Sequence, residues 1–476
     1  MCSSGGARRL VMVYSKGVGR MKQLSVVGAA VMLVFGMAAS SFAAGFAVIE
    51  QSVSGLGNAF AGAAASAEDP TTIFYNPAGM TRLKGQQATA GMHVIFPQSD
   101  FKDDGSSAVS PLLGGGALTG GDGGNGGEAV VVPNAYYSIN FDNGWVAGLG
   151  INSPYGLVTD WGDGWQGRYH ALRSDVLTVN INPSVAYKVN DHFSVGVGVS
   201  AQYVDAELSQ AIDFGSIAYA TSGFNSALSG LPQNRDGKVT LEADDWAYGF
   251  NLGALIEVDE NTRFGIAYRS EISYTAEGDA DYVVPNVISG DPLLDGGIKA
   301  AFSDVAAKAD LDLPATASAS VYHRFNDQWA VMADATWTQW SSFDELRVKF
   351  ADGRADAVTT ENWNDSWRYS AGLTYSPSEA LDLRFGLAYD ETPIPDNYRT
   401  PRIPGDNRFW VATGLGYTWT SFKLDVGYAH LFVDNARSNR QAGVDPLNGE
   451  DFFKGTLSGE YESSVDIASV QLTYLF

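Results

Sequence analysis

Four patterns in this chain bring together residue types that could do chemistry. Gly55-x-Gly57, followed by the small-residue run Ala59 to Ala65, has the look of a loop whose glycines let backbone approach a phosphate. That fingerprint needs a preceding strand and a third glycine, and Phe60 stands where the third would be. The run Gly120 to Gly127, with Asp122 and Asn125, resembles one piece of a calcium-binding β-roll. Such rolls bind through stacked repeats, and this piece occurs once, so it reads as a flexible loop. Five histidines, His93, His170, His192, His323 and His430, are the candidates for metal ligation or general base. Each stands without ligand spacing or a neighbouring nucleophile motif. No metal, cofactor or catalytic activity is therefore expected.

The fourth pattern is the most informative. Segments 211–237 and 283–310 read as long loops, yet they are apolar. The first carries Phe214 and Ile217, and the second carries Leu294, Ile298 and Phe302, with 298–308 expected as an amphipathic helix. Either the two loops pack on each other as a lid, or they present a greasy landing site for a hydrophobic solute.

The elements that would hold such loops are strands. In 193–203, Phe193, Val195, Val197, Val199, Ala201 and Tyr203 alternate with Ser194, Gly196, Gly198, Ser200 and Gln202. The same period of two runs through 263–274 and 381–390, and through the last residues, where Phe476, Tyr474, Leu472 and Val470 oppose Gln471 and Thr473. Period two with one apolar and one polar face fits a strand between lipid and lumen. Fourteen strands are expected, at 86–97, 129–141, 145–153, 176–189, 193–210, 238–258, 263–282, 311–325, 329–350, 366–376, 381–390, 406–419, 423–433 and 463–476. Short turns such as Asp142-Asn143-Gly144 alternate with long loops, as periplasmic turns alternate with outer loops in outer-membrane barrels. The fold class expected is all-β: a 14-stranded antiparallel transmembrane barrel, residues 86–476, in the bacterial outer membrane.

Residues 44–85 break the template, are rich in small residues and precede the first strand. They are expected to plug the lumen as a hatch. Residues 1–43 read as a leader, with a start at Met21, an apolar run from Val26 to Met37 and a cleavage site after Ala43. The sole cysteine, Cys2, lies in it, so no mature disulfide is expected. Removing the leader's five basic residues leaves 25 basic against 54 acidic, a net charge of −29. That excess argues against nucleic acid as a partner, and the acids are expected in solvent loops. The closing aromatic strand is expected to address the barrel-assembly machinery, and lipid and lipopolysaccharide to surround a monomer.

Several short motifs in order resemble the FadL-type outer-membrane transporters of long-chain fatty acids and other hydrophobic compounds. They include Ala44-Gly45-Phe46, Asn76-Pro77-Ala78, Tyr155-Gly156-Leu157, Tyr268-Arg269-Ser270-Glu271, Trp340-Ser341-x-Phe343-x-Glu345-Leu346, Pro393-x-Pro395 and Arg408-Phe409-Trp410. The resemblance implies a passive, ligand-gated channel with a hatch held around Asn76, Pro77 and Ala78 and a ligand-sensing terminus at Phe46. It implies a lateral opening at a kink in the third strand, here Ser153, Pro154, Tyr155 and Gly156. It also implies two positions near a bound carboxylate, aligned with Gln210 and Arg347. Gln210 is neutral, and strand phase turns Arg347 outward unless a bulge intervenes. Neutral hydrocarbons are therefore the alternative cargo, and a lipid hydrolase the alternative from another class.

Overall fold

The computed structural model describes residues 45–108, 116–441 and 450–476. The expected leader and its cleavage site lie outside these residues. Fourteen strands close into one antiparallel barrel. They are β1 (Gln86–Asp103), β2 (Val130–Asn140), β3 (Trp145–Asn152 and Gly156–Asp160), β4 (Arg173–Asn190), β5 (Phe193–Asp213), β6 (Asp236–Glu257) and β7 (Thr262–Arg269 and Ile272–Val283). The second half is β8 (Val305–Leu313 and Thr316–Arg324), β9 (Trp329–Thr338 and Glu345–Phe350), β10 (Ser366–Ser378), β11 (Leu381–Asp390), β12 (Arg408–Thr418), β13 (Phe422–Val433 and Ala436–Arg440) and β14 (Leu457–Leu475). β14 closes on β1, with Gln87 opposite Leu475 and Asp103 opposite Gly459. Among the described residues no helix is long and apolar enough to cross a membrane.

The two faces of the wall follow the period-two pattern. Leu472 is 47% exposed and Gln471 1%. Phe250, Phe264, Phe385 and Leu472 point outward, as do aromatic pairs that include Trp145–Tyr187 and Trp329–Tyr375, with ring centroids 4.7 and 4.4 Å apart. Such pairs mark the bilayer interfaces. Several strands run well past the 9–11 residues that a bilayer needs, and β6 has 22. On these extensions outward carboxylates face one another across strands: Asp175 opposite Glu207, Glu207 opposite Glu242, and Glu242 opposite Asp279. Part of the acidic excess thus sits on strands rather than in loops.

Strand ends differ from the sequence pattern where lipid no longer enforces it. β1 continues through Pro97 to Asp103 because its ladder to β2 stops at Ile95, so at Pro97 that edge asks for no N–H donor. The helix expected at 298–308 lies earlier, at Pro292–Ala301, and Val305–Leu313 is strand. Asp291 caps Leu293 and Leu294, and Pro292 occupies the first turn, which starts the helix early. The alternation of Val305 to Leu313 then pairs with Ile272 to Ala280. The glycine run is not a free loop: Gly123 and Gly126 pack against Trp161 so tightly that a Cβ on Gly126 would lie 2.5 Å from the indole.

Residues 45–85 fill the lumen. They contain α1 (Val53–Leu56), α2 (Ala63–Ser66), α3 (Thr72–Tyr75) and a 3₁₀ turn, Pro77–Arg82. The wall meets them with glycines. A Cβ at Gly265 would lie 1.8 Å from the Ala64 carbonyl, at Gly253 1.9 Å from Asn76, at Gly386 2.0 Å from Asn58 and at Gly196 2.4 Å from Ala78. Asn76 donates to the carbonyls of Ala64 (2.6 Å) and Ala254 (3.0 Å) and accepts from the Ala78 N–H, which caps the turn that Pro77 opens. Glu68 pairs with Arg384 at 2.9 Å, and Arg384 also pairs with buried Asp425 at 2.8 Å. Polar side chains therefore fasten the lower lumen, and apolar ones line the upper part.

Candidate ligand path

The upper lumen is built from strand positions that would face water if the barrel were an open pore. Leu157, Val204, Leu431, Val465 and Ile467 point inward and are buried. At their centre stands Phe46. Its ring lies 5.0 Å from Trp340, 5.8 Å from Phe343, and 6.0 Å from both Tyr155 and Trp363. This collar separates two compartments. Phe46 and Phe343 line an upper pocket of about 110 Å³, with Leu157, Leu208, Leu241 and Val348 among its aliphatic walls and Glu361 and Arg402 among its polar ones. Ile49, Pro154, Tyr155, Trp340, Arg269 and Arg368 are among the residues around a lower chamber of about 140 Å³.

Above both lies an outer groove of about 740 Å³, a size usual for small-molecule sites. Gln210, Ile217 and Phe302 line it. Phe214, Ile298 and Leu294 instead form the apolar seam between helices α4 (Phe214–Thr221) and α5 (Pro292–Ala301). The two apolar loops thus pack on each other and still leave a lined groove.

The charges divide sharply. Arg347 does not reach the groove. It is half-exposed and ion-paired to Glu345 (2.6 Å) and Asp356 (3.1 Å), while its neighbours Leu346 and Val348 face inward. The interruption at 339–344 did not shift the phase enough to turn it in. Of the cations that line the groove, Arg354 pairs with Asp352 at 2.6 Å and Lys454 with Asp451 at 3.1 Å. Arg402 lines both the groove and the upper pocket. It donates Nη1 to Ser174 Oγ (2.9 Å) and the Arg173 carbonyl (3.2 Å), and Nη2 to the Ser209 carbonyl (3.4 Å). All three acceptors are neutral. A guanidinium has five N–H donors, so Nε–H and one Nη2–H are left as a side-on fork. Burial pulls the Arg402 guanidinium down to about 10, with Glu361 acting against that shift. Glu361, which also lines the upper pocket, is pushed up to about 7 by burial. Sequence reasoning missed Arg402 because it sits in an irregular loop among Asp396, Arg399 and Asp406, which looks like a solvated run of mixed charge.

The wall breaks beside the lower chamber. β3 leaves its ladder to β4 at Asn152 opposite Asn180 and rejoins at Gly156 opposite Leu177. Three residues, Ser153, Pro154 and Tyr155, thus face two. On the other edge, the ladder from β2 ends at Ala135 opposite Ile151 and resumes only at the Gly127–Thr159 bridge. The hatch supplies the missing partners. Val48 N–H donates to the Pro154 carbonyl (2.8 Å), Gly156 N–H to that of Phe46 (2.9 Å), and Gln51 Nε2 to that of Ser153 (2.7 Å). Pro154 has no N–H to satisfy, which suits a residue at a ladder break.

The family described as outer membrane protein transport protein (OMPP1/FadL/TodX) matches residues 34–476. The chain belongs to this family. It is an outer-membrane protein. It is 31% identical over 453 residues to a long-chain fatty acid transport protein of Escherichia coli O6:H1, covering 91% of this chain and 96% of that protein. A crystal structure of a Pseudomonas aeruginosa FadL homologue superimposes with a TM-score of 0.80 at 26% identity, covering 90% of this chain and 99% of the other. The toluene transporter TodX of P. putida shares the fold, with a TM-score of 0.61 at 16% identity over 86% of this chain and 94% of the other.

The histidines are dispersed. His93 bonds Ser469 at 2.8 Å inside the wall, His430 bonds Asp466 at 2.8 Å on the outer face, and His323 bonds Thr262 at 3.0 Å. His170 is buried in the outer loops 4.0 Å from Asp451, and burial pushes its imidazole down to about 3. Among the described residues no group of three His, Cys, Asp or Glu side chains could hold a metal.

Proposed function

We propose that this protein admits long-chain fatty acids across the outer membrane by diffusion, with release through the wall at Ser153 to Gly156. The observation that carries the reading is Arg402: a partly buried guanidinium with two N–H groups to offer, set where an outer groove meets an apolar pocket. An apolar tail gains about 0.8 kcal/mol per buried methylene, and a charge-assisted fork answers a carboxylate head. Membership of the family and the named E. coli relative support it. Residues 44–85 act as the hatch, 86–476 as the barrel, and Phe46 as the residue that yields to ligand. Exit through the side suits an apolar solute, which avoids the polar lower lumen around Gln471, Arg384 and Asp425. The protein works as a monomer without cofactor or catalytic step, amid lipid and lipopolysaccharide, after insertion by the barrel-assembly machinery through its closing strand.

Uptake of radiolabelled oleate by a strain lacking its own transporter and carrying this gene tests the reading. Rescue is expected. No rescue, together with gain of growth on toluene or an alkane, would establish the second reading, uptake of neutral hydrocarbons. Neutral Gln210 in the groove is what favours that alternative. Release of free fatty acid from phospholipid by the purified protein would point to a hydrolase.

A further inference from the structure

The lower chamber contains more cationic hydrogen-bonding capacity than the hatch uses. Arg269 and Arg368 both line it and are 8% and 6% exposed. Arg269 donates Nη2 to the Phe74 carbonyl at 2.8 Å, and Arg368 donates Nη2 to the Ala59 carbonyl at 2.9 Å. Nη1 of Arg269, and both Nε and Nη1 of Arg368, meet no acceptor. Buried donors left unmatched are costly, so such a set is rare unless something answers it. Three carboxylates share this layer. Asp390 lies opposite Arg368 and Arg408 in register, Asp334 bonds Ser320 and Thr336, and Glu50 is buried on the hatch. None of them accepts from those three nitrogens.

The chamber's other walls are those of the exit: Pro154 and Tyr155 from the β3 break, Ile49 from the hatch, and Trp340 from the underside of the collar. Resting on the fatty-acid reading and deepening it, we propose that Arg269 and Arg368 form a second carboxylate station, which takes the head group of a single-chain acid after Arg402 and holds it at the wall break. The first station lies above the collar and the second below it. Movement of Phe46 then transfers the acid from one guanidinium site to another. The carboxylate is thus never left in an apolar pocket without a partner, where an unpaired charge is strongly disfavoured. A neutral hydrocarbon needs neither station.

Photolabelling tests this with the full chain in detergent. The probe is a laurate whose diazirine sits on the carbon next to the carboxyl group, and mass spectrometry maps the label. The wild type is expected to label at two places, near Arg402 and near Tyr155 and Trp340. R269Q/R368Q should lose at least tenfold of the lower label and keep the upper one, which also reports a folded barrel. R269K/R368K should keep both. Lower label that persists in the Gln variant overturns the station. So does an equal loss with a diazirine probe that has no carboxyl group, because that would mark a structural role. Lower label in a protein that fails to rescue oleate uptake would sustain the station and sink the transport reading. Rescue without lower label would do the reverse.

Discussion

Replacing Arg402 with glutamine should separate head-group recognition from tail burial. The side chain has three hydrogen bonds, all to neutral oxygens, and offers Nε–H and one Nη2–H to a carboxylate. Hydrogen bonds to a charged group contribute about 1.5–3 kcal/mol, so losing the fork should weaken laurate binding roughly 10- to 100-fold. Dodecanol, with the same tail and no charge, should lose less than about threefold, since the apolar lining of Leu208, Leu241, Leu346 and Val348 is untouched. In the wild type, affinity should rise about fourfold for each added methylene, from ~0.8 kcal/mol per group, and R402Q should leave that slope unchanged. Displacement of a fluorescent fatty acid from the purified protein measures all three quantities. If laurate and dodecanol weaken alike, Arg402 acts by holding Ser174 and Ser209 in place, and the head-group argument is refuted.

Glu361 supplies a pH test. Its carboxyl is raised by burial to about 7, so it is mostly neutral at pH 6 and mostly charged at pH 8. The folded state holds that proton more tightly than the unfolded chain, and the ionised form is drawn to Arg440 and also to Arg402, where it competes with a carboxylate ligand. Laurate binding should weaken from pH 6 to pH 8, and E361Q should flatten the profile; a slope that survives in E361Q assigns the effect elsewhere. G253V should dislodge the hatch, because even its Cβ would lie 1.9 Å from Asn76. The readout is ion conductance in a planar bilayer, with G296A, at an open position, expected to stay silent. Deleting Pro154 should restore one-to-one register between Asn152–Gly156 and Leu177–Asn180, seal the wall and abolish oleate uptake while laurate binding persists; unchanged uptake would rule out exit at that point.

How much of this was legible in the sequence depends on what enforces the pattern. Lipid on one side and a filled lumen on the other impose period two, so all fourteen strands could be located from residues such as those of 193–203. The pattern fades above the bilayer, where both sides of a strand meet water or loops. There β14 begins at Leu457 rather than 463, and β8 reaches down to Val305. Gln210 could be given a face because it lies on a regular strand. Arg402 could not, since loop side chains have no period. The close approach of hatch and wall did leave a trace, in the glycines at inward strand positions such as Gly196, Gly253 and Gly386. An isolated glycine inside a strand signals backbone approach, and several at one level signal an object inside.

Those glycines have a mechanical consequence. They form a notch, not merely a space. Sliding the plug along the barrel axis by one pleat would drive Asn58, Ala64 and Asn76 into strand positions that bear side chains. The body of the plug is therefore keyed against vertical travel, and no piston motion is available to it. The few residues before α1 are fastened differently, by hydrogen bonds to the broken edge of β3. On the proposed path, a cargo at the collar meets a cork that does not slide, and the way left to it is around the corner at the β3 break.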